Sequence, residues 1–221
     1  MTASLRDCIL AAADAVDGAR DELGRLDAVA GDGDHGLTMA HGARAVRRAL
    51  EENGEAPPAE LLAKVAMAMA SIGGAIGPIY ATGLLKVAGA TRASETWDGG
   101  VTVARLLACT DAAVNGVTTL GHAKPGDKTV LDAMTPLAES LRTSEADGIS
   151  LDDALVRGRD AALAGAAATA GMIASIGRAA RLGEQSRGTP DAGATSFAMI
   201  VAAAVDTYLA GGGEQASGTA R

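Results

Sequence analysis

Three observations predict an all-α fold for this chain of 221 residues. Apolar residues make up 48% of the sequence but aromatic residues only 2%, so small aliphatic side chains must fill the interior. Alanine is the best helix former, and an alanine-rich, aromatic-poor chain favours closely packed helices over sheets. No segment alternates at the period of two that a half-buried strand requires. We therefore expect about eight helices in one domain over residues 1–210, followed by a flexible glycine-rich tail over 211–221.

Helical spacing and its breaks predict each element in turn. Apolar residues from Leu5 to Leu26 follow one another at steps of four and three, which is one face of a helix. The segment ENGEAPP and the pair Gly73-Gly74 end helices, whereas Pro78 is acceptable in a first turn. Asp98 can cap the fifth helix, and Ser150 opens the seventh with a capping box. The predicted helices cover 4–26, 37–50, 59–72, 79–92, 101–115, 128–142, 150–181 and 195–209.

Charge and composition exclude several classes of protein. A net charge of −8 argues against sequence-independent nucleic-acid binding, which needs a basic face. Cys8 and Cys109 are far apart and lack CxxC spacing, which indicates free thiols in a reducing cytoplasm. The N-terminus has no signal-peptide pattern. The uncharged run 161–177 consists mainly of alanine and glycine, so we expect a buried helix rather than a membrane span.

Three aspartates stand close together in residues 26–42, LDAVAGDGDHGLTMAHG, with no lysine or arginine among them. Carboxylates this close repel one another unless a cation or hydrogen-bond donors compensate. Asp27, Asp32 and Asp34 offer only oxygen ligands, which suit a hard cation such as magnesium or calcium. Helix capping is the plain alternative, and it accounts comfortably for one aspartate but not for three. The sequence therefore favours a metal site here.

Two other kinds of metal site do not match this segment. An EF-hand counted from Asp32 would need oxygen ligands at loop positions that are occupied by Gly36 and Ala43. A zinc site is weakly supported, because the chain has three histidines and no cysteine beside them.

Glycine-rich loops recur after about every second helix: GDGDHG, GGAIGP, GHAKPGD and PDAGA. In an up-and-down arrangement, alternate loops lie at the same end, so several of these loops can converge on one ligand. Glycine before a helix lets backbone N–H groups turn towards an anion. Together with three carboxylates, the loops indicate a polyphosphate bridged by a metal ion.

The segment GHAKPGDKT approaches the Walker A pattern but does not match it. Asp127 intrudes before Lys128 and Thr129, and no strand precedes the segment, so we reject a P-loop. Lys128 is then surface charge or a residue at a helix start. Arg178 follows a long uncharged stretch, where it can serve a helix C-terminus or contact a phosphate, and both interpretations stay open.

Four stretches of the chain, in order, resemble the L subunit of dihydroxyacetone kinase, which is equivalent to the C-terminal nucleotide-binding domain of single-chain dihydroxyacetone kinases. They are LDAVAGDGDHGLTM, IGGAIGPIY, GHAKPGDKTVLDA and GRAARLGEQSRGTPDAGATS. The resemblance covers almost the whole chain. It implies an up-and-down barrel of eight antiparallel helices with the nucleotide site in the loops at one end, so residues 1–210 would be a DhaL-type nucleotide-binding helical domain.

The resemblance also implies a set of site residues. Asp27, Asp32 and Asp34 would hold two Mg²⁺ ions beside an adenine nucleotide, ATP or ADP. The nucleotide would lie against twelve loop residues: His35, Gly36, Leu37, Thr38, Ala75, Ile76, Gly121, Val130, Arg178, Asp191, Ala192 and Gly193. Three of these depart from the family pattern, in which asparagine stands at Thr38, serine at Ile76 and methionine at Val130. These departures reduce the donors near the phosphates and the packing around the base.

The implied activity is phosphoryl transfer from the nucleotide to dihydroxyacetone held on a separate, sugar-binding K subunit. The chain needs no general base for this, and His35 is expected to contact phosphate. The donor is either ATP or a phosphohistidine subunit of a phosphotransferase system that recharges retained ADP. Two alternatives stay open: a four-carbon ketose such as erythrulose as the acceptor, and a regulatory role in which a transcription factor reads the nucleotide state. We further expect a cytoplasmic protein with no nucleic-acid or membrane partner, for which a homodimer is one assembly.

Overall fold

The computed structural model describes residues 3–93 and 100–212. These residues form nine α-helices and no strand. Two 3₁₀ segments, Thr169–Gly171 and Ala179–Ser186, lie between the last two helices. The helices are α1 (Leu5–Gly18), α2 (Arg20–Ala30), α3 (His35–Asn53), α4 (Pro58–Ala70), α5 (Ile76–Ala93), α6 (Val103–Gly121), α7 (Leu131–Ala146), α8 (Leu151–Ala168) and α9 (Ala192–Gly212).

Eight of these helices close into a ring. From α3 to α9 each helix packs against the next one along the chain, α1 packs against α3, and α9 closes the ring by packing against α1. The remaining helix, α2, lies across α3 and α9. The predicted up-and-down barrel of eight antiparallel helices is therefore confirmed, with α2 as an additional helix.

Small side chains allow the helices to approach closely. The interface of α7, α8 and α9 is built on Ala133, Ala162 and Ala194, all of which are fully buried. A larger cluster joins α1 to α5 around Leu23, Met39 and other aliphatic residues. An apolar cavity of about 180 Å³ remains inside the barrel. The core is thus assembled mainly from aliphatic residues, as the aromatic-poor composition predicts.

The predicted first helix is wrong because it is two helices. α1 ends at Gly18 and α2 begins at Arg20, with Ala19 between them at φ −88° and ψ 10°. The apolar spacing continues through this break, so periodicity did not reveal it. The separation is tertiary in origin, since α1 belongs to the barrel wall while α2 packs across α3 and α9.

The predicted long helix 150–181 is also wrong in its second half. Ser150 caps α8 as expected, because its hydroxyl accepts a hydrogen bond from the Asp153 N–H. The helix ends at Ala168, however, and a 3₁₀ turn follows. There the Thr169 hydroxyl donates to the Ala166 carbonyl and accepts from the Asp191 N–H at 2.8 Å. This long-range hydrogen bond turns the chain towards the start of α9.

Smaller differences concern the helix ends. Thr102 caps α6, while the predicted cap at Asp98 lies outside the described residues. Gly211 and Gly212 continue α9, so the predicted tail begins too early, and its remaining residues lie outside the described part.

Among the described helices, α9 alone is long and apolar enough to cross a membrane by length and composition. One helix of this kind is weak evidence, because a core helix passes the same test. Here α9 packs against α1, α7 and α8 as part of the barrel.

Candidate metal and nucleotide site

Three carboxylates meet at one end of the barrel. Asp27 lies in the last turn of α2, Asp32 lies in the loop that follows, and Asp34 occupies the position before α3. One oxygen from each of the three lies within 4.8 Å of the other two. A set of three oxygen ligands at this spacing fits a hard divalent cation such as Mg²⁺.

A glycine makes room for this cluster. A β-carbon built on Gly31 would lie 2.3 Å from Oδ1 of Asp27, which is far inside normal contact. The backbone N–H of His35 donates to Oδ2 of the same carboxylate at 3.3 Å. Any larger residue at position 31 would therefore displace the Asp27 carboxylate from its place between α2 and α3.

Arg178 compensates part of the negative charge. Its guanidinium donates to Oδ2 of Asp32 and lies 4.0 Å from Oδ1 of Asp34. Desolvation acts to raise the pKa of Asp32, but the hydrogen bond from Arg178 helps to outweigh it, and the pKa is lowered. Burial raises the pKa of Asp34, and the Asp32 carboxylate raises it further. The cluster still carries more negative charge than one arginine neutralises, which favours an added cation.

Four helices begin beside this cluster. Alternate connections of an up-and-down barrel lie at one end, so α3, α5, α7 and α9 all start there. His35, Ile76, Val130 and Ala192, at or next to these starts, line one cavity of about 270 Å³. A helix N-terminus presents unpaired N–H groups and a partial positive charge. An anion in this cavity would therefore meet the positive ends of four helices.

A smaller cavity of about 90 Å³ adjoins the first. It is lined by Asp34, Thr38 and Ala75, among others, and it shares five residues with the larger cavity: Asp27, His35, Ile76, Ile79 and Arg178. The larger cavity alone reaches Val130, Ile176 and Pro190, which give it an apolar side. The pair of cavities thus offers a charged compartment next to a roomier, partly apolar one, an arrangement suited to a phosphorylated ligand.

A buried hydroxyl links three of the helices. Oγ of Ser196 in α9 lies 3.0 Å from Nε2 of His35 in α3 and 3.0 Å from the hydroxyl of Tyr80 in α5. It donates to the Gly193 carbonyl at 3.1 Å, so it accepts from the histidine and the tyrosine. Burial lowers the pKa of His35, although the Asp27 carboxylate opposes this, and the lower pKa favours the neutral ring. The imidazole is therefore held by protein through Nε2, while the backbone N–H of the same residue is bonded to Asp27.

Asp191 stands at the start of α9. Its carboxylate accepts from the Ala194 N–H at 2.7 Å and so caps the helix. Burial raises the pKa of Asp191 to about 6, although the Ala194 N–H and the Lys128 ammonium both oppose this shift. The side chain is therefore an unusually basic carboxylate on the wall of the larger cavity.

The GHAKPGDKT loop contributes a residue that sequence analysis misplaced. Lys128 was expected to be surface charge or a helix-start residue, but it is buried and lines the larger cavity. Its ammonium donates to the Ser186 carbonyl at 2.5 Å and the Thr189 carbonyl at 2.7 Å.

Most of the predicted site residues come together in the structure. Those that line the two cavities are Asp27, Asp34, His35, Thr38, Ala75, Ile76, Val130, Arg178, Asp191, Ala192 and Gly193. Asp32 joins them through the carboxylate cluster. Three predicted residues do not line these two cavities: Gly36 is packed against α2, Leu37 is half exposed, and Gly121 ends α6.

Comparison with known proteins identifies the family of this chain. A family model described as the DAK2 domain matches residues 29–206. The chain belongs to the DAK2 domain family. Asp32, Asp34 and the four helix starts lie within the matched residues, and Asp27 lies two positions before them. The expected kinship with the nucleotide-binding part of dihydroxyacetone kinases is confirmed.

Relatives of this DAK2 domain are named kinases or kinase subunits. It is 37% identical over 177 residues to the PEP-dependent dihydroxyacetone kinase, ADP-binding subunit DhaL, of Escherichia coli, a match covering 80% of this chain and 82% of that one. It is 41% identical over 201 residues to the D-erythrulose kinase of Mycolicibacterium smegmatis, covering 89% of this chain but 34% of the kinase. The chain therefore spans about a third of the length of the erythrulose kinases that it matches.

Solved structures show the same fold. The native dihydroxyacetone kinase of C. freundii matches the DAK2 domain with a TM-score of 0.67 and 24% identity, over 91% of this chain and 34% of that one. The complex of that enzyme with AMP-PNP and Mg²⁺ matches with a TM-score of 0.64 and 22% identity, over 94% and 35% of the two chains. At this level of identity, the likeness establishes the fold of the domain.

Sequence reasoning missed Lys128, Ser196 and Tyr80 as parts of the site. Lys128 had a local signal, the glycine-rich loop that precedes α7, but its burial depends on a segment far along the chain. Ser196 and Tyr80 look like ordinary helical residues in the sequence, and only the closure of the barrel brings their hydroxyl groups within hydrogen-bond distance.

Proposed function

We propose that this DAK2 domain is the phosphoryl-transfer subunit of a dihydroxyacetone kinase. It binds an adenine nucleotide with two Mg²⁺ ions and passes phosphate to dihydroxyacetone held on a separate, sugar-binding K subunit. The observation that carries the proposal is the cluster of Asp27, Asp32 and Asp34 beside a cavity where four helices begin. The E. coli relative, named as an ADP-binding subunit, matches over most of both chains and supports the subunit role.

The chain's own residues bind and orient the donor in this proposal. The aspartates would hold the cations, which when bound neutralise charge on the transferring phosphoryl group. Arg178 is placed to donate charge-assisted hydrogen bonds to phosphate oxygens beside the cluster. The starts of α3, α5 and α9 would add backbone N–H groups around the phosphates. Burial lowers the pKa of His35, which makes its ring a weaker base, and Nε2 is held by Ser196, so we assign this residue no general-base role.

The departures from the family pattern act on affinity and leave the acidic cluster intact. The Thr38 side chain lies at the smaller cavity, where its hydroxyl can still bond a phosphate oxygen. Ile76 lines both cavities and provides no side-chain donor, so contacts at this position would come from the backbone. Val130 lines the larger cavity with a shorter side chain than methionine, which leaves more room beside the base.

The phosphate donor and the sugar remain part of the proposal. The E. coli relative is named as PEP-dependent, which supports a phosphohistidine phosphotransferase subunit that recharges bound ADP, whereas exchange with free ATP is the other route. The D-erythrulose kinase relative supports a second candidate, the same transfer to a four-carbon ketose. Both donors are cytoplasmic, and we therefore place the protein in the cytoplasm. Sedimentation would test the predicted homodimer.

The first experiment measures thermal stabilisation of the chain by ADP with and without Mg²⁺. Binding to the folded state adds about 2.7 kcal/mol when the ligand is present at about 100 times Kd. We expect the wild type to show this gain only with Mg²⁺, and Asp32→Ala to lose it. Glu52→Ala is the matched control, because it removes one exposed carboxylate from the far end of α3. Equal stabilisation of Asp32→Ala and wild type would refute the metal site.

The second experiment separates donors and substrates. The purified chain is dialysed at length and denatured, and released ADP is quantified, since one equivalent per chain indicates retained ADP and excludes free exchange. The chain is then combined with a K subunit of a dihydroxyacetone kinase and supplied with dihydroxyacetone or erythrulose. No transfer to either ketose, with ATP or with a phosphohistidine donor, would contradict the proposed kinase role.

A further inference from the structure

Lys128 is a buried lysine that the proposed transfer does not use. Its exposed fraction is 5%, and its backbone adopts φ 62°, in the left-handed region that residues with a side chain seldom occupy. Such a conformation persists only where the surroundings enforce it, and it often marks a functional position. An ammonium group taken out of water also needs partners for its donors.

All three donors of the Lys128 ammonium are directed to one segment of the chain. They reach the carbonyl oxygens of Ser186 at 2.5 Å, Thr189 at 2.7 Å and Met172 at 3.4 Å. These residues belong to segment 172–190, the connection between the 3₁₀ turn after α8 and the start of α9. Since an ammonium has three donors, none is left for a phosphate. Lys128 therefore acts on the protein rather than on the ligand.

The loop that carries Lys128 is closed by hydrogen bonds and contacts the same segment at a second point. The Asp132 carboxylate accepts from the N–H of Gly126 at 2.5 Å and of Thr129 at 2.7 Å, which closes the loop onto α7. Oγ of Ser175, in segment 172–190, donates to Oδ1 of Asp127 at 2.5 Å. Segment 172–190 is therefore held against this loop by hydrogen bonds to both Lys128 and Asp127.

Segment 172–190 forms one wall of the larger cavity. Ser186 and Thr189, whose carbonyls Lys128 holds, line that cavity and do not line the smaller one, whereas Asp27 and, in the same segment, Arg178 line both cavities. The phosphates of a bound nucleotide belong beside the aspartates and their cations. The part of the wall that Lys128 holds, at Ser186 and Thr189, is thus away from the smaller cavity and on the side left for the base and ribose.

We infer that Lys128 is a positioning residue that shapes the nucleoside side of the site by holding the carbonyl groups of segment 172–190. This inference rests on the proposed function, because it requires the larger cavity to bind a nucleotide. If loss of the ammonium leaves the wall in its binding shape for only a tenth of the time, the apparent affinity for the nucleoside falls about tenfold. Binding of a ligand without a nucleoside is unaffected.

The test measures the Kd of Mg²⁺-ADP and of Mg²⁺-pyrophosphate by calorimetry. We expect Lys128→Met to weaken ADP binding about tenfold and to leave pyrophosphate binding unchanged within about twofold. Lys124→Met is the matched control, since it removes an exposed lysine from the same loop, and it should change neither Kd. If Lys128→Met does not fold, Lys128→Gln retains two of the donors and should show the same selective effect at smaller size.

The outcomes separate this inference from the proposed function. Equal weakening of both ligands in Lys128→Met or Lys128→Gln would overturn the inference, because it indicates a general effect on the fold. Unchanged binding of both ligands would overturn it as well. A wild-type chain that binds neither ligand would refute the proposed function itself, and the inference with it.

Discussion

The tight contact between α2 and α3 makes Gly36→Ala the sharpest test of the site's architecture. A β-carbon built on Gly36 would lie 1.9 Å from the Arg20 carbonyl oxygen and 2.7 Å from the Gly24 nitrogen. Favourable contacts of carbon begin near about 3.5 Å, so α2 and α3 would have to separate by about 1.5 Å. Both partners are helical backbone, which cannot move aside as a flexible side chain would.

We expect Gly36→Ala to lower the free energy of unfolding by about 3 kcal/mol, at the upper end of the usual range for overpacking. For a domain of this size, that loss lowers Tm by roughly 6–12 °C. Because α2 carries Asp27 and α3 follows Asp34, the separation should also weaken Mg²⁺ binding. Urea denaturation followed by circular dichroism, together with a Mg²⁺ titration of the folded variant, measures both effects.

Gly89→Ala is the matched control. Gly89 lies exposed in the C-terminal half of α5, and nothing lies within 4 Å of a β-carbon built there. Replacing such a glycine should stabilise the helix by about 0.5–1 kcal/mol. The two substitutions are chemically identical, so opposite signs isolate the close approach of α2 and α3. A Gly36→Ala protein as stable as the wild type would refute the argument.

Three further predictions concern single contacts. Burial raises the pKa of Asp191 to about 6, so the folded state binds this proton more tightly than the unfolded state. This contribution to the free energy of unfolding is present at low pH and is lost as the pH rises through about 6. In urea titrations, the free energy of unfolding of Asp191→Asn should therefore rise by about 2 kcal/mol relative to the wild type between about pH 4.5 and pH 8. A difference between the two proteins that stays constant over this range would contradict the argument. Ser196→Ala removes the partner of His35 and Tyr80 and should cost about 2 kcal/mol in urea denaturation, whereas a change within error would show that water replaces the hydroxyl. Ser150→Ala removes the cap of α8 and should cost about 1 kcal/mol, which would appear as a Tm lower by about 2–4 °C, and an unchanged Tm would count against it.

The fold class and the chemistry of the site were readable from local patterns. Alanine content and helical spacing predict an all-α chain, because helix formation depends on residues three and four positions apart. The closeness of Asp27, Asp32 and Asp34 in the sequence was enough to predict an acidic cluster, and the structure brings their oxygens within 4.8 Å. Glycine loops at alternate connections predict convergence at one end, which the starts of α3, α5, α7 and α9 confirm.

Helix boundaries were less predictable where tertiary contacts override local preference. The spacing of apolar residues continues through Ala19, although the chain turns there so that α2 can pack across α3 and α9. The alanine-rich run after α8 favours a longer helix, but Thr169 bonds to Asp191 and the helix ends. In both cases the competing partner lies outside the window that periodicity examines.

The contacts that shape the site depend on residues far apart in the sequence. Ser196 meets His35 across 161 positions, and the ammonium of Lys128 reaches Ser186 across 58. A local pattern reports which residues can form a helix or a turn, but it contains no information about partners brought together by closing the barrel. Residue types and order thus account for the helices, the acidic cluster and the glycine loops, whereas the burial of Lys128 and the pairing of Ser196 arise from the packing of distant helices.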